Sequence, residues 1–366
     1  MMYDYIYTIR IINIGYMNMQ QWQLAPISAF AELAPVWDRL NRAMGGVPIL
    51  ESRFLGPALE QFADGRERIF WHGSAEAPDC MCILRPKSRL SWESFQPSQM
   101  PLGPFLLQPG ADFHGLVAGL LRRLPGFPLG LGLTQQDPSV IPRPLAGGVL
   151  RSLDYIQTAS LPIRGSFETY WNVRGKNLRQ NMRKQRKQLA ANHIQTRLEL
   201  ISDPGRVGWA VETYARLEVA GWKSGAGTAV AGDNAQGRFY RRMLERFCSV
   251  GRGRIYCYWF DDRLAAMDLC VAGGGALVIL KTSYDESLAQ SLSPAFLMRQ
   301  ETFRLLFDQG EFDRVEFYGR AMDWHLRWTD QLRTLYHVNA YRHSGVAFAR
   351  DWLGQRRRQE AAALAP

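Results

Sequence analysis

The chain has 366 residues, 46% of them hydrophobic and 12% aromatic, which excludes a disordered or low-complexity protein and suits two packed domains. Its formal charge of +10 points to an anionic partner: nucleic acid, a phosphate-rich cofactor, a nucleotide sugar or a membrane surface. Cys80, Cys82, Cys248, Cys257 and Cys270 have neither metal-ligand nor disulfide spacing, so no metal is expected, and the odd count suits reduced, buried thiols in a cytoplasmic protein. No apolar run reaches the roughly 18 residues of a membrane-spanning helix.

Residues 1–18 are aromatic and β-branched, but Asp4, Arg10 and the lack of a small-residue cleavage site distinguish them from a signal peptide. They are expected to be an extension, with Met19 opening the folded part. Residues 27–44 and 57–64 have helical patterns, and 68–86 alternates as a hairpin that puts Cys80 and Cys82 on one face. A Pro/Gly-rich stretch over 97–110 leads to a helix at 114–124, then to a second Pro/Gly-rich stretch over 125–149. A strand at 153–163 follows, and the domain boundary is expected just before it, dividing the chain into 19–150 and 151–366.

One long helix is predicted over 167–192, then a strand at 193–201 and a helix opened by Asp203-Pro204 and running to Ala220. After a helix at 234–249, residues 254–285 make antiparallel strands turned at Asp261-Asp262 and at Gly273–Gly275. A helix at 294–309 closed by Gly310, a strand at 314–319, a last strand at 334–343 and a helix to Arg358 complete the pattern. Each half has helices, a hairpin and a Pro- or Gly-marked passage into a helix, a faint internal echo.

The segment Ile279–Gly310 carries the strongest chemical signal. A buried strand gives way to polar residues at Tyr284 and Asp285. Ser293 at the N-cap and Pro294 at the first helical position then open a helix. Unpaired amides and the positive dipole end at such a start make an anion site. Between Glu168 and Glu199 there is no acidic residue, and Lys176, Arg179, Arg183 and Arg186 recur at spacings of three and four on one helix face. That stripe is either a solvated basic face or the dock for a phosphate, an acidic carrier or a nucleic-acid backbone. Residues 217–230 are rich in Gly and Ala, and Trp222 and Lys223 offer a stacking surface and a cation. Residues 316–328 concentrate Glu316, Tyr318, Arg320, Asp323, Trp324, His325 and Arg327 after a strand. His325 is either an acid–base group or a locally satisfied imidazole. Phosphate-loop, nucleophile-elbow and zinc-protease motifs are absent, and no carboxylate pair marks a glycosidase.

Taken in order, WQLAPISAFAELAPVWDRL, PILESRFLGPALEQFADG, NLRQNMRKQRKQL, GWKSGAGTAV, FYRRMLERFCSVGRGRIYCYWFDDRLAAMDLCV, SYDESLAQSLSPAFLM and RVEFYGRAMDWHLRWTD resemble the CelD-like acetyltransferases of the GNAT superfamily, over roughly residues 20–355. That family is associated with cellulose and exopolysaccharide biosynthesis and is distantly related to Fem-type peptidyltransferases. The resemblance implies an α/β fold of tandem GNAT-like domains, with mixed, mainly antiparallel sheets flanked by helices, the second half binding an acyl-CoA. It places Ser293, Pro294, Ala295, Phe296 and Leu297 at the CoA pyrophosphate and matches Tyr284 and Asp285 to the family's Tyr-Asp. Ala295 stands where the family usually has Gly, and His325 where it usually has Lys.

The expected function is acyl transfer from acetyl-CoA or another acyl-CoA to an amine or hydroxyl of a sugar, polysaccharide precursor or peptide-like acceptor. Attack would be direct, within a ternary complex. Asp285, Glu316, Asp323 and His325 are the candidate bases, and Tyr284 is the candidate acid for the leaving thiolate. Arg179, Arg183, Arg186, Trp222, Lys223 and Arg320 are the candidate substrate contacts. Two alternatives keep the fold: a Fem-type transferase using aminoacyl-tRNA or an acyl carrier, and a non-catalytic nucleic-acid-binding protein. The second is less favoured, because the aromatics do not interleave with the basic run.

Overall fold

The computed structural model describes residues 21–219, 234–288 and 292–363. Within them the chain runs β1 (Trp22–Pro26), α1 (Phe30–Ala43), α2 (Ser52–Phe62), β2 (Arg68–Gly73), β3 (Pro78–Ser88), β4 (Ser91–Ser94), β5 (Phe105–Leu107), α3 (Phe113–Arg123) and β6 (Gly130–Gln136). It continues through β7 (Leu150–Pro162), α4 (Phe167–Asn172), α5 (Lys176–Ala191), β8 (Thr196–Ile201), α6 (Val207–Val219), α7 (Ala235–Cys248), β9 (Gly253–Phe260), β10 (Arg263–Gly273) and β11 (Ala276–Tyr284). The last elements are α8 (Pro294–Gln309), β12 (Arg314–Glu316), α9 (Asp323–Leu326), β13 (Leu332–Tyr341) and α10 (Ser344–Ala363).

Two helices depart from their expected bounds. The pattern places the second helix at 57–64, with Pro57 near its start; α2 instead begins at Ser52 and carries Pro57 inside it. Its start is fixed from a distance, since the Asp38 carboxylate accepts the Ser52 amide at 2.7 Å and the Ser52 hydroxyl at 2.6 Å. The predicted helix over 167–192 is two helices, broken at Val173–Gly175, with Gly175 taking extended backbone as the N-cap of α5. The strand expected over 314–319 pairs only through Glu316, and Tyr318 then turns into the left-handed region at φ 48°. The turns hold as predicted: Asp261 (φ 51°), Gly274 (φ 54°) and Gly275 (φ 69°) join β9 to β10 and β10 to β11, and Gly310 (φ 62°) closes α8.

The strands form one mixed sheet in the order β1-β2-β3-β4-β6-β13-β7-β12-β11-β10-β9-β8, with β5 pairing β3 off that path. Neighbours are antiparallel except β4–β6 and β11–β12. The fold is thus mixed α/β with a mainly antiparallel sheet flanked by helices. β13, from the end of the chain, lies between β6 and β7, pairing residues 332–340 with 150–159 of β7 on one side and β6 on the other.

Three apolar clusters stabilise this sheet. One joins α1 and α2 to α6 and α7, with Phe54 and Phe239 edge to face at 5.4 Å. A second lies under α4, α5 and α8 against β9–β12, and a third under α3. All five cysteines are buried and unpaired, Cys80 and Cys82 together in the third cluster. Among the described residues no helix is long and apolar enough to cross a membrane.

A buried ion network ties β13 to its neighbours. Arg333 Nη2 donates to Asp137 Oδ2 and to Glu316 Oε2, both at 2.7 Å, and Arg333 lies over the Tyr318 ring at 5.3 Å. Burial by itself would raise the Asp137 carboxyl, yet the Arg333 and Ser139 hydrogen bonds outweigh it and hold the group below its usual range. For Glu316 burial wins and the carboxyl is raised, with Arg333 opposing. Removing the cation strands two buried carboxylates. Arg333→Met should therefore cost about 3–5 kcal/mol of unfolding free energy in denaturant titrations. A loss under about 1 kcal/mol would mean that the network carries little of the fold's stability.

Candidate functional site

β11 carries an extra residue. Leu269 of β10 faces Lys281 while Cys270 faces Ile279, so Leu280 has no partner on β10. Such a bulge bends its strand and re-aims the side chains that follow. On the other edge, β11 and β12 pair in parallel only from Ala276–Arg314 to Val278–Glu316. Beyond that point the two strands diverge. The wedge between them is a cavity of about 790 Å³, with Ile279–Thr282 and Tyr284 on one wall and Phe317, Gly319, Arg320, Met322, Trp324 and His325 on the other. The start of α8, Leu292–Phe296, closes one end, with Arg299 behind it.

Several expected residues meet at this cavity: Tyr284, Ser293, Pro294, Ala295, Phe296, Arg320 and His325. Leu297 is buried in the core beneath it. Ser293 is at the N-cap and Pro294 at the first helical position, but the Ser293 hydroxyl does not cap α8. It accepts from Gln185 Nε2 at 3.3 Å, while the Ser293 amide donates to Gln185 Oε1 at 2.7 Å. A side chain from α5 thus occupies the position where a local cap was expected. The Phe296 and Leu297 amides both donate to the Ser293 carbonyl, which leaves Ala295 as the first-turn amide that precedes the intrahelical bonds.

Three expected carboxylates lie away from the cavity. Asp285 accepts from Arg263 (Nε 2.8 Å, Nη2 2.5 Å) and from Ser287. Burial would raise its carboxyl, but the Ser287 and Arg263 bonds prevail and lower it. Glu316 belongs to the Arg333 network and also accepts from Arg314 Nε at 2.9 Å. Asp323 is the exposed first residue of α9. Arg179, Arg183 and Arg186 are elsewhere again, in a cleft of about 480 Å³ between α5 and α8 that they share with Lys187 and Arg304. There Arg186 already pairs with Glu301 at 2.9 Å and Arg179 Nε donates to the Arg174 carbonyl. Trp222 and Lys223 fall outside the described residues.

His325 stacks on Trp324, ring centroids 3.5 Å apart, and its Nδ1 accepts the Met322 amide at 2.9 Å. Burial and then the nearby Arg299 charge push its pKa down to about 4. The imidazole is therefore neutral near physiological pH, with its proton on Nε2.

Two ion pairs at the cavity escaped the sequence reading. Arg299, 3% exposed, donates through Nη2 to both Asp268 oxygens at 3.2 and 3.3 Å and to Thr282 Oγ1 at 2.9 Å, with its Nε unpaired and its guanidinium 4.8 Å from the Trp324 ring centre. Lys281 Nζ donates to buried Glu218 of α6 at 3.3 Å. No local signal separates Arg299 from exposed Arg304, because α8 is buried on most of its surface. Among the described residues no three His, Cys, Asp or Glu side chains gather as a metal site.

Residues 176–326 match the family described as the acetyltransferase (GNAT) domain. Over that segment the chain matches a GNAT fold. Similar solved structures include a conserved protein of unknown function from Bacteroides thetaiotaomicron VPI-5482, at 9% identity and a TM-score of 0.52, covering 88% of this chain and 99% of that one. The C-terminal DUF2156 domain of an Agrobacterium fabrum protein assigned as a lysylphosphatidylglycerol synthetase gives 11% and 0.51, covering 81% and 92%. FemX gives 9% and 0.50, covering 75% and 88%. At these identities the likeness is one of fold. Curated proteins gave no match. The GNAT domain match supports an acyltransferase without specifying the acyl group.

The His325 geometry generates a pH prediction. Its folded pKa of about 4 lies below the ordinary 6.5, so between those values the unfolded imidazole binds a proton that the folded one refuses. Its contribution is thus complete above the ordinary value and is lost as pH falls toward the folded one. Denaturant titrations near pH ~7 and ~5 should show the wild type losing stability on acidification, and His325→Gln losing less. Equal losses would place the imidazole in water.

Proposed function

We propose that the protein transfers an acyl group from an acyl-CoA, acetyl-CoA in the first instance, to an amine or hydroxyl of a sugar or polysaccharide precursor, as a CelD-like enzyme would. One observation carries this reading: two parallel strands part after Val278 and Glu316 to open a cavity whose end is a helix start. A thioester with a long, thin arm and a phosphate group matches that shape, with the arm between β11 and β12 and the phosphates at α8. The Ala295 amide and the helix dipole would meet the pyrophosphate, and Arg320 lies on the same cavity wall as a cation.

In a ternary complex the acceptor attacks the thioester carbonyl directly. Asp285 and Glu316 are each held by arginine, so neither suits the role of base. His325, with Nδ1 occupied, suits a hydrogen-bond donor through Nε2. An ordered water is then the best proton acceptor, and Tyr284 remains the candidate acid for the leaving thiolate. Residues 151–366 would carry the whole reaction.

A Fem-type donor, aminoacyl-tRNA or an acyl carrier, is favoured by a separate observation, the basic cleft of Arg179, Arg183, Arg186, Lys187 and Arg304. Calorimetric titration with acetyl-CoA and longer acyl-CoAs distinguishes the two donors. Free acyl-CoA should bind, and Ala295→Asp, which puts a carboxylate at the phosphate site, should weaken it roughly tenfold or more. Binding that Ala295→Asp leaves unchanged would move the pyrophosphate elsewhere. An absence of binding to every acyl-CoA would transfer the weight to the Fem-type donor.

A further inference from the structure

The bulge at Leu280 changes which way Lys281 points. Before it, Val278 faces the cluster shared with α6 and α7, and Leu277 and Ile279 face the cluster under α8. Strict alternation would put Leu280 on the α6/α7 side and Lys281 on the α8 side. Instead Leu280 packs with the first cluster and Lys281 also reaches α6 and α7, pairing with Glu218 and lying 5.8 Å from the centre of the Tyr240 ring. Thr282 takes the α8 side, where it meets Arg299. An inserted residue at a strand edge has thus moved an ammonium group onto the wall of the cavity, on the face opposite Arg299.

On the α6/α7 side Lys281 pairs with Glu218 of α6 and lies against Tyr240 of α7, and Glu218 is in turn near Tyr214 of α6. The Tyr214 and Tyr240 hydroxyls are pushed well above their ordinary range by burial, so they stay neutral, and Asp268 is taken by Arg299 across the strand. Glu218 is the carboxylate that faces the ammonium directly.

We propose that Lys281 stabilises the thiolate that leaves when the thioester is cleaved. This rests on the acyl-CoA reading above. The acceptor nitrogen or oxygen forms its bond to the carbonyl carbon, and the carbon–sulfur bond breaks with its electron pair remaining on sulfur. The acceptor proton passes to water, and the CoA thiolate departs beside the Lys281 ammonium, which holds it until Tyr284 delivers a proton and recovers one from that water. A cation placed there favours the anion over the thiol, and Glu218 is its counter-ion.

The test needs no acceptor. Free CoA is bound to the wild type and to the double variant Lys281→Met/Glu218→Gln, which removes both charges and so leaves no uncompensated carboxylate in the interior. Thermal melting reports whether each protein is folded, and the ultraviolet absorbance of the thiolate is followed against pH. The thiol bound to the wild type should titrate about one unit or more below free CoA, and the thiol bound to the double variant like free CoA. Single Lys281→Met, where it folds, leaves the Glu218 carboxylate without its counter-ion and should titrate at or above the double variant. Identical titrations in wild type and double variant would overturn the role of Lys281 while leaving CoA binding intact. A wild type that binds no CoA would overturn the donor reading, and this inference with it.

Discussion

A single guanidinium holds the middle of this sheet together. Arg333 sits on β13, which lies between the much earlier strands β6 and β7, and its charge is shared by Asp137 and Glu316. Without it, two carboxylates that came from distant parts of the sequence would face each other in a dry interior. The network reaches across β7 to Glu316 of β12, one wall of the β11–β12 wedge, and so helps to hold β12 in place. Glu316 is the last paired residue of β12, and the chain departs from the ladder at once, through the left-handed Tyr318. Strand pairing and charge compensation therefore end together, and the cavity begins where they stop.

The other wall follows from a different constraint. β11 is bound along one edge by β10 and released along the other after three residues, and the bulge at Leu280 supplies the bend. Because one residue is added, neighbouring side chains that would face opposite sides of the sheet share one. Two cations of one strand–helix unit, Lys281 and Arg299, are consequently distributed to opposite sides of the same strand, each with its own buried carboxylate. These two charges are each balanced by a carboxylate, and the unpaired Arg299 Nε remains as a donor without a protein acceptor.

Much of the fold was legible because its signals are local. Pro294 and Gly310 delimit α8, and Asp261, Gly274 and Gly275 mark the hairpins that deliver β9 to β11. What the sequence hid depends on partners far along the chain. Asp38 starts α2 five residues before Pro57, and Gln185 takes the Ser293 groups that a local cap would have used. The candidate site divides in the same way. The helix start and the Tyr284, Arg320 and His325 positions were found because each belongs to a contiguous motif. Asp285, Glu316 and Asp323 were grouped with them by proximity in sequence, which does not reveal that an arginine from another strand neutralises the first two. Lys281 and Arg299 carry no such signal, because a charge in an apolar strand or helix resembles its exposed edge until burial is known.

The placement of β13 also governs how the chain can be assembled. A nascent chain that has passed β7 has β6 and β7 without the strand that belongs between them, and that strand begins only at Leu332. β13 must be synthesised before β6 and β7 can be joined in the sheet, and closing so long a loop is slow relative to local helix formation. During that interval the facing edges of β6 and β7 are open to any other strand, including one from a second nascent copy. The pairing of β6 with β7 through β13 thus waits on a segment far along the chain.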